Sequence, residues 1–295
     1  MKKSTFVFLA AIAACTSAPK TELEVIDKLK ILDKPMKKPA MDEWLFEHKE
    51  AGQTFAEFQK LTPAKPNEQQ HVIYLQPIGT FTDEQDSLVK FTAEYMGLFF
   101  NLETIVLKTL PESRISTEKR RMNQGIEQFQ THYILDSLLN DVPKNALVTM
   151  AITAKDLYPS ANWNFVFGEA NIAKRKAVSS IFRYPDTTLA AAQNRTLCLD
   201  RLIKTSAHEI GHIFSCLHCI HAQCVMNGSN HLPESDAQPN ALCSECLKKL
   251  SSILAFDNKK RFTQLRDFYQ KHGLNRDFQA TMAALKVIGE SRFLN

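Results

Sequence analysis

The sequence predicts an α+β fold: a twisted mixed sheet with packed helices, followed by a smaller, mainly helical C-terminal part. Three observations carry that prediction. Apolar runs at residues 71–79 (H-V-I-Y-L-Q-P-I-G) and 146–152 have the length of buried strands, and the first is closed by Pro77 and Gly79. A stretch from about residue 196 to 214 keeps a helical period through H-E-I-G-H at 208–212. Beyond residue 247 the apolar positions recur every three or four residues, as on helices packed by one face.

The chain has 295 residues and 44% hydrophobic content, enough for one large or two small domains with a real core. Its formal charge of +4 is spread along the sequence, so there is no basic footprint for nucleic acid and none is expected as a partner. Lys119-Arg120-Arg121 reads as the solvated start of a helix.

The N-terminus is different in kind. Lys2 and Lys3 precede an apolar run over residues 6–14, well short of the ~20 residues that cross a bilayer and suited to a signal peptide of residues 1–14. The run ends Ile12-Ala13-Ala14-Cys15, which resembles a bacterial lipobox, with cleavage before Cys15 and acylation of its thiol. Two or three acyl chains make a stable anchor where one does not. The expectation is therefore an exported protein held to a bacterial membrane through Cys15. Thr16 rather than aspartate after that cysteine favours the outer membrane, facing the periplasm.

Residues 15–70 are lysine-rich and punctuated by five prolines, so they read as a tether and N-terminal extension. Trp44, Phe46, Phe55 and Phe58 are too apolar for a free linker, and residues 41–61 are expected to dock on the domain that follows, with a prodomain as the alternative. Residues 71–217 are then expected to form an N-terminal subdomain and residues 218–295 a C-terminal one. Within the first, residues 88–100 are a helix or a strand, residues 117–140 are the clearest helix, and residues 163–167 pair with 178–184. Within the second, helices are expected at 247–256, at 261–271 and after Gly273.

The chemistry concentrates at residues 208–219, H-E-I-G-H-I-F-S-C-L-H-C. One helical turn separates His208 from His212, so both imidazoles leave the same face and can hold one metal ion. His218 lies six residues further on and reaches the same ion only if the chain turns back. Three imidazoles on Zn²⁺ leave a fourth position open, as in catalytic zinc sites. Glu209, beside the first ligand, is placed as a general base toward water at that position. The five-residue H-E-x-x-H pattern alone also arises by chance on exposed helices.

Cys219, Cys224, Cys243 and Cys246 offer four thiolates for a closed, structural zinc, which would make two Zn²⁺ per chain. Two disulfides are the rival in an oxidising compartment. Cys198 and Cys216 lie near opposite ends of the long helix, ~25 Å apart at 1.5 Å per residue, too far for a bridge that needs Cα atoms within ~7 Å. They read as free thiols.

These residues together resemble the archaemetzincins, zinc metallopeptidases with a second, all-cysteine zinc site. H-E-x-x-H, His218-Cys219, Cys224-Val225-Met226 and Cys243-x-x-Cys246 carry the likeness. It extends upstream to Asp156-Leu157-Tyr158-Pro159 and the segment Trp163 to Gly168, downstream to Arg261, and more loosely to Trp44 and Gly52-Gln53-Thr54-Phe55.

The resemblance implies a zincin-like, metzincin-type catalytic domain with an active-site zinc helix and a four-cysteine zinc site in the C-terminal subdomain. It also implies that Met226 forms the turn beneath the ligands and that a sheet-edge strand within residues 162–184 binds an extended peptide, where a plain core hairpin is the alternative. The implied activity is hydrolysis of peptides or proteins, narrowed to short peptides or their amino termini. A non-catalytic zinc-binding lipoprotein on the same scaffold is the alternative. One position departs from the pattern: Ser215 stands where the family carries a glycine that permits a left-handed backbone. Tyr158 and Tyr184 are conceivable oxyanion donors, and His221 and His231 read as rim residues.

Overall fold

The computed structural model describes residues 20–289. In chain order the elements are α1 (Lys20–Lys28), α2 (Trp44–Glu47), α3 (Phe55–Phe58), β1 (Val72–Ile78), α4 (Asp83–Phe100), β2 (Glu103–Val106), β3 (Arg120–Asn123), β4 (Ile126–Gln130), α5 (Thr131–Asp136), β5 (Ala146–Thr153), β6 (Asp156–Tyr158), β7 (Gly168–Asn171), β8 (Lys176–Ser180), α6 (Ala191–Ile213), α7 (Leu232–Ala237), α8 (Ser244–Leu254), α9 (Asn258–Lys271) and α10 (Asn275–Gly289).

The main sheet is mixed and runs β2-β1-β5-β8-β7, parallel except for β7, which lies antiparallel to β8 at one edge. Strands β1 and β5 are buried along their whole length, as their largely apolar sequences require in the middle of a parallel sheet, with Gln76, Thr149 and Thr153 the buried polar residues among them. Helices α4 and α6 pack together beside it. Thr82 starts α4 with a reciprocal capping box to Gln85, and Asn101 ends it in a left-handed conformation, so residues 88–100 resolve as helix. One apolar core joins sheet, α4, α6 and the C-terminal helices, from Ile73 through Leu202 to Phe268.

Three expectations are corrected. Residues 117–140 are not one helix: Arg120–Asn123 and Ile126–Gln130 form a hairpin, and only Thr131–Asp136 is α-helical. The chain reverses at Gln124 and Gly125, both at positive φ, as a two-residue hairpin turn demands. Met122, counted on the helical stripe, is 67% exposed. Arg120 and Arg121 are not a solvated helix start either. Arg120 pairs with Glu127, and Arg121 lies over the Tyr158 ring while donating to the Trp163 carbonyl. Residues 163–167 form no strand of their own. The antiparallel pair begins one residue later, at Gly168, and β8 ends at Ser180, leaving the Phe165 and Phe167 rings free to line a cleft.

The N-terminal extension is folded well before the expected docking segment. Helix α1 packs on α8, Ile26 and Leu29 are buried, and Asp33 accepts the Ser244 N–H at 2.9 Å. Residues 41–61 do dock on the body of the protein: Phe58 is buried, and Glu234 accepts the Trp44 N–H at 2.9 Å. Lys2, Lys3 and Cys15 lie outside the described residues. Among the described residues no helix is long and apolar enough to cross a membrane.

Candidate metal centre and cleft

Helix α6 presents His208 and His212 one turn apart on one face, with their Nε2 atoms 3.0 Å from each other. The helix then ends. Ser215 adopts φ +66°, and the Cys216 N–H reaches back to the Gly211 carbonyl at 3.1 Å, a left-handed stop in which serine takes the conformation usually left to glycine. That reversal returns His218, whose ring lies 5.2 Å from His208 and 5.0 Å from His212 between centroids. One ligand atom from each of the three lies within 4.8 Å of the others.

The opposite ring nitrogens are all occupied. The Nδ1 atoms of His208, His212 and His218 meet the Val225 carbonyl (2.9 Å), the Cys216 carbonyl (2.7 Å) and Glu50 Oε1 (2.8 Å). An acceptor at Nδ1 fixes the proton there and leaves the Nε2 lone pair free. Burial pushes His208 well below the ordinary histidine range, and burial with the neighbouring His218 takes His212 to about 4. The neutral imidazole so favoured is the form that ligates metal, so this donor set fits zinc.

Glu209 points from the same turn into the cleft and is buried. Burial, with the nearby Glu169 carboxylate, pushes its carboxyl up to about 8. The cleft, of about 460 Å³, runs between α6 and the sheet edge and is walled by Trp44, Trp163, Phe165 and Phe167. Strand β7 borders it, within the residues where a cleft-side edge strand is expected. Arg183 steadies one wall by lying 3.6 Å over Phe165 while it ion-pairs with the fully buried Asp156.

The chain after His218 forms a second cluster. The sulfurs of Cys219, Cys224, Cys243 and Cys246 lie within 4.8 Å of one another, all buried and none bridged. Cys219 and Cys243 Sγ stand 3.6 Å apart, far beyond a disulfide bond of ~2.05 Å. The neighbouring thiols hold Cys219 far below the usual thiol range, and backbone N–H groups of Met226 and Cys243 point at Cys224 Sγ. Such a set fits a tetrahedral metal. Asn227 clips the loop: its Nδ2 donates to the Cys219 carbonyl at 2.6 Å and its Oδ1 accepts from the Cys224 N–H at 2.7 Å. Met226 is buried against α6 at Gly211, and its carbonyl accepts the Cys219 N–H.

Cys198 and Cys216 are buried free thiols. The Tyr184 hydroxyl donates to Thr205 Oγ1, burial raises it to about 12, and neither it nor Tyr158 lines the cleft. His221 pairs with Asp33 and His231 caps α7, both apart from the clusters. Sequence reasoning missed Glu50, Asn227 and Glu169. Glu50 had no local signal, whereas Asn227 sits one residue after Met226 in a motif already singled out.

Comparison with known proteins supplies independent findings. The profile of peptidase family M54 matches residues 82–252, more than half of the chain. Archaemetzincin-2 of Rattus norvegicus is 32% identical over an alignment of 267 residues that covers 79% of this chain and 74% of the relative. Archaemetzincin of Methanocaldococcus jannaschii is 33% identical over 178 residues, 60% of this chain and 92% of the relative. The solved archaemetzincin of Methanopyrus kandleri superposes with a TM-score of 0.51 at 28% identity, covering 65% of this chain and 99% of that one.

Proposed function

The chain belongs to peptidase family M54, the archaemetzincins, and is a zinc metallopeptidase; from that premise we propose that His208, His212 and His218 hold the catalytic zinc and that Glu209 is the general base. The observation that carries this reading is the convergence of three Nε2 atoms, each fixed by an acceptor behind its ring, with a buried carboxyl beside them opening on the cleft. Zinc, when bound, supplies Lewis acidity and makes water a competent nucleophile near neutral pH.

The chain's own groups do the rest. Burial raises the proton affinity of Glu209, which suits it to take a proton from water entering the cleft and to return it to the leaving amine. The free edge of β7 offers main-chain donors and acceptors to an extended peptide. Glu169 beside Glu209 makes the cleft floor acidic, which favours short peptides or amino termini that present a free ammonium group. Cys219, Cys224, Cys243 and Cys246 hold a second, structural zinc, giving two per chain. Lys2, Lys3 and the I-A-A-C run support export and acylation at Cys15, with a bacterial membrane as the anchoring partner on the periplasmic side.

Glu209→Gln tests the mechanism. Glutamine keeps the shape and cannot accept the proton, so peptide turnover should fall on the order of 10²–10⁴-fold while zinc content stays that of the parent. Undiminished turnover removes Glu209 from the mechanism.

A further inference from the structure

Two of the three histidines are braced by main-chain carbonyls close in sequence, on the C-terminal side of the zinc helix: His208 by Val225 and His212 by Cys216. His218 is different. It stands on a loop with no helix to fix its side chain, and the group behind it is a side chain 168 residues away, Glu50. Glu50 Oε1 accepts from His218 Nδ1 at 2.8 Å and from the indole Nε1 of Trp44 at 3.0 Å. The Trp44 ring in turn stands edge-on to His218, with centroids 5.0 Å apart and planes at 85°. Gln53 reaches the chain on the same stretch, donating to the Ser215 carbonyl at 3.0 Å.

We propose that Glu50 is a positioning residue for His218, so that an N-terminal segment outside the residues matched by the family profile completes the metal centre. The inference rests on the reading of His218 as a zinc ligand. A carboxylate accepting from Nδ1 fixes the ring's tautomer and rotation and makes Nε2 a better donor, which is the service an outer-shell acceptor gives a ligating imidazole. Trp44 holds the carboxylate in line and forms the adjacent cleft wall, so the same segment shapes where substrate lies.

The test uses the full chain and its affinity for metal. Cobalt(II) is titrated in competition with a chelator into the parent, Glu50→Ala and Glu50→Gln. The d–d bands of the histidine site are followed beside the thiolate charge-transfer band of the cysteine site. A parent that shows no histidine-site band refutes the ligand reading itself.

Given that band, Glu50→Ala should weaken the histidine site about 10- to 100-fold and shift its band with the thiolate band unchanged. Glu50→Gln, which keeps an acceptor oxygen, should stay within a few-fold of the parent. An alanine variant that binds like the parent overturns the proposal, as does a glutamine variant as weak as alanine. Should the alanine variant not fold, ¹H–¹⁵N spectra of the parent's histidines decide. A downfield, exchange-protected His218 Nδ1 proton that moves in Glu50→Gln supports the hydrogen bond, and its absence overturns it.

Discussion

A methyl group on Gly211 would fall on the thioether of Met226, whose side chain is fully buried beneath the zinc helix. Glycine inside a helix costs roughly 1 kcal/mol relative to alanine, so helix propensity alone makes Gly211→Ala stabilising. Overpacking opposes it by about 1–3 kcal/mol, and because the thioether it displaces belongs to a fully buried side chain that must repack, the packing term should win. Urea denaturation should show Gly211→Ala less stable than the parent, and Gly211→Ala/Met226→Ala less destabilised than the sum of its single changes. An additive pair would mean that the two side chains do not compete for space.

Removal of metal should proceed in two steps. The histidine site opens on the cleft and uses neutral donors, whereas the cysteine site is enclosed and anionic, and thiolate metal binding is coupled to folding by on the order of 10 kcal/mol in small zinc-finger peptides. A chelator titration followed by peptide cleavage and circular dichroism should lose activity with the first zinc and folded structure only with the second. One zinc per native chain with two disulfides by thiol assay would sink the prediction.

The β3–β4 hairpin carries a pH-dependent tie. Lys155, by a hydrogen bond of 2.7 Å, and Arg120 hold the Glu127 carboxyl below its ordinary value of 4.5. A carboxyl lowered in the folded state adds stability above its unfolded value, and that stability is lost as pH falls from about 4.5 through the folded value. The group is partly solvated, so the contribution is about 0.2–1 kcal/mol. Melting curves of Glu127→Gln should lie below those of the parent at neutral pH and converge with them at acid pH; a constant offset at every pH would contradict the assignment.

Mass spectrometry of protein made in a bacterial host with its native N-terminus should find residue 15 as the first residue, carrying acyl chains on Cys15. A mature chain that still begins upstream of Cys15 would end the lipoprotein reading.

How much of this was legible beforehand follows the range of the physics. His208, Glu209 and His212 are fixed by a helical repeat, and the cysteine pairs by short spacings, so the sequence alone places both clusters. The hairpin at residues 120–130 misled because Met122, Ile126 and Phe129 satisfy a helical spacing as well as two short strands. Only Gly125 signals the turn. Glu50 was invisible for another reason: its partner lies 168 residues away, and nothing in its own neighbourhood points to His218. The early helix at residues 20–28 was hidden by its lysines and by the prolines that follow, though Ile26 and Leu29 mark its buried face.

The ties of the N-terminal segment also set the order in which the protein can be completed. Glu22 meets Asn258, Asp27 meets Lys248 and Asp33 meets Ser244, spans of 236, 221 and 211 residues. Residues 22–33 therefore wait for residues 244–258 before they can settle, and contacts of such long span form slowly. A chain lacking the residues from Cys246 on would carry the whole H-E-x-x-H helix yet lack Lys249, which donates to the Gln53 carbonyl, and the closure of the cysteine cluster. The H-E-x-x-H helix is thus complete in sequence before the contacts that seat the N-terminal segment can form.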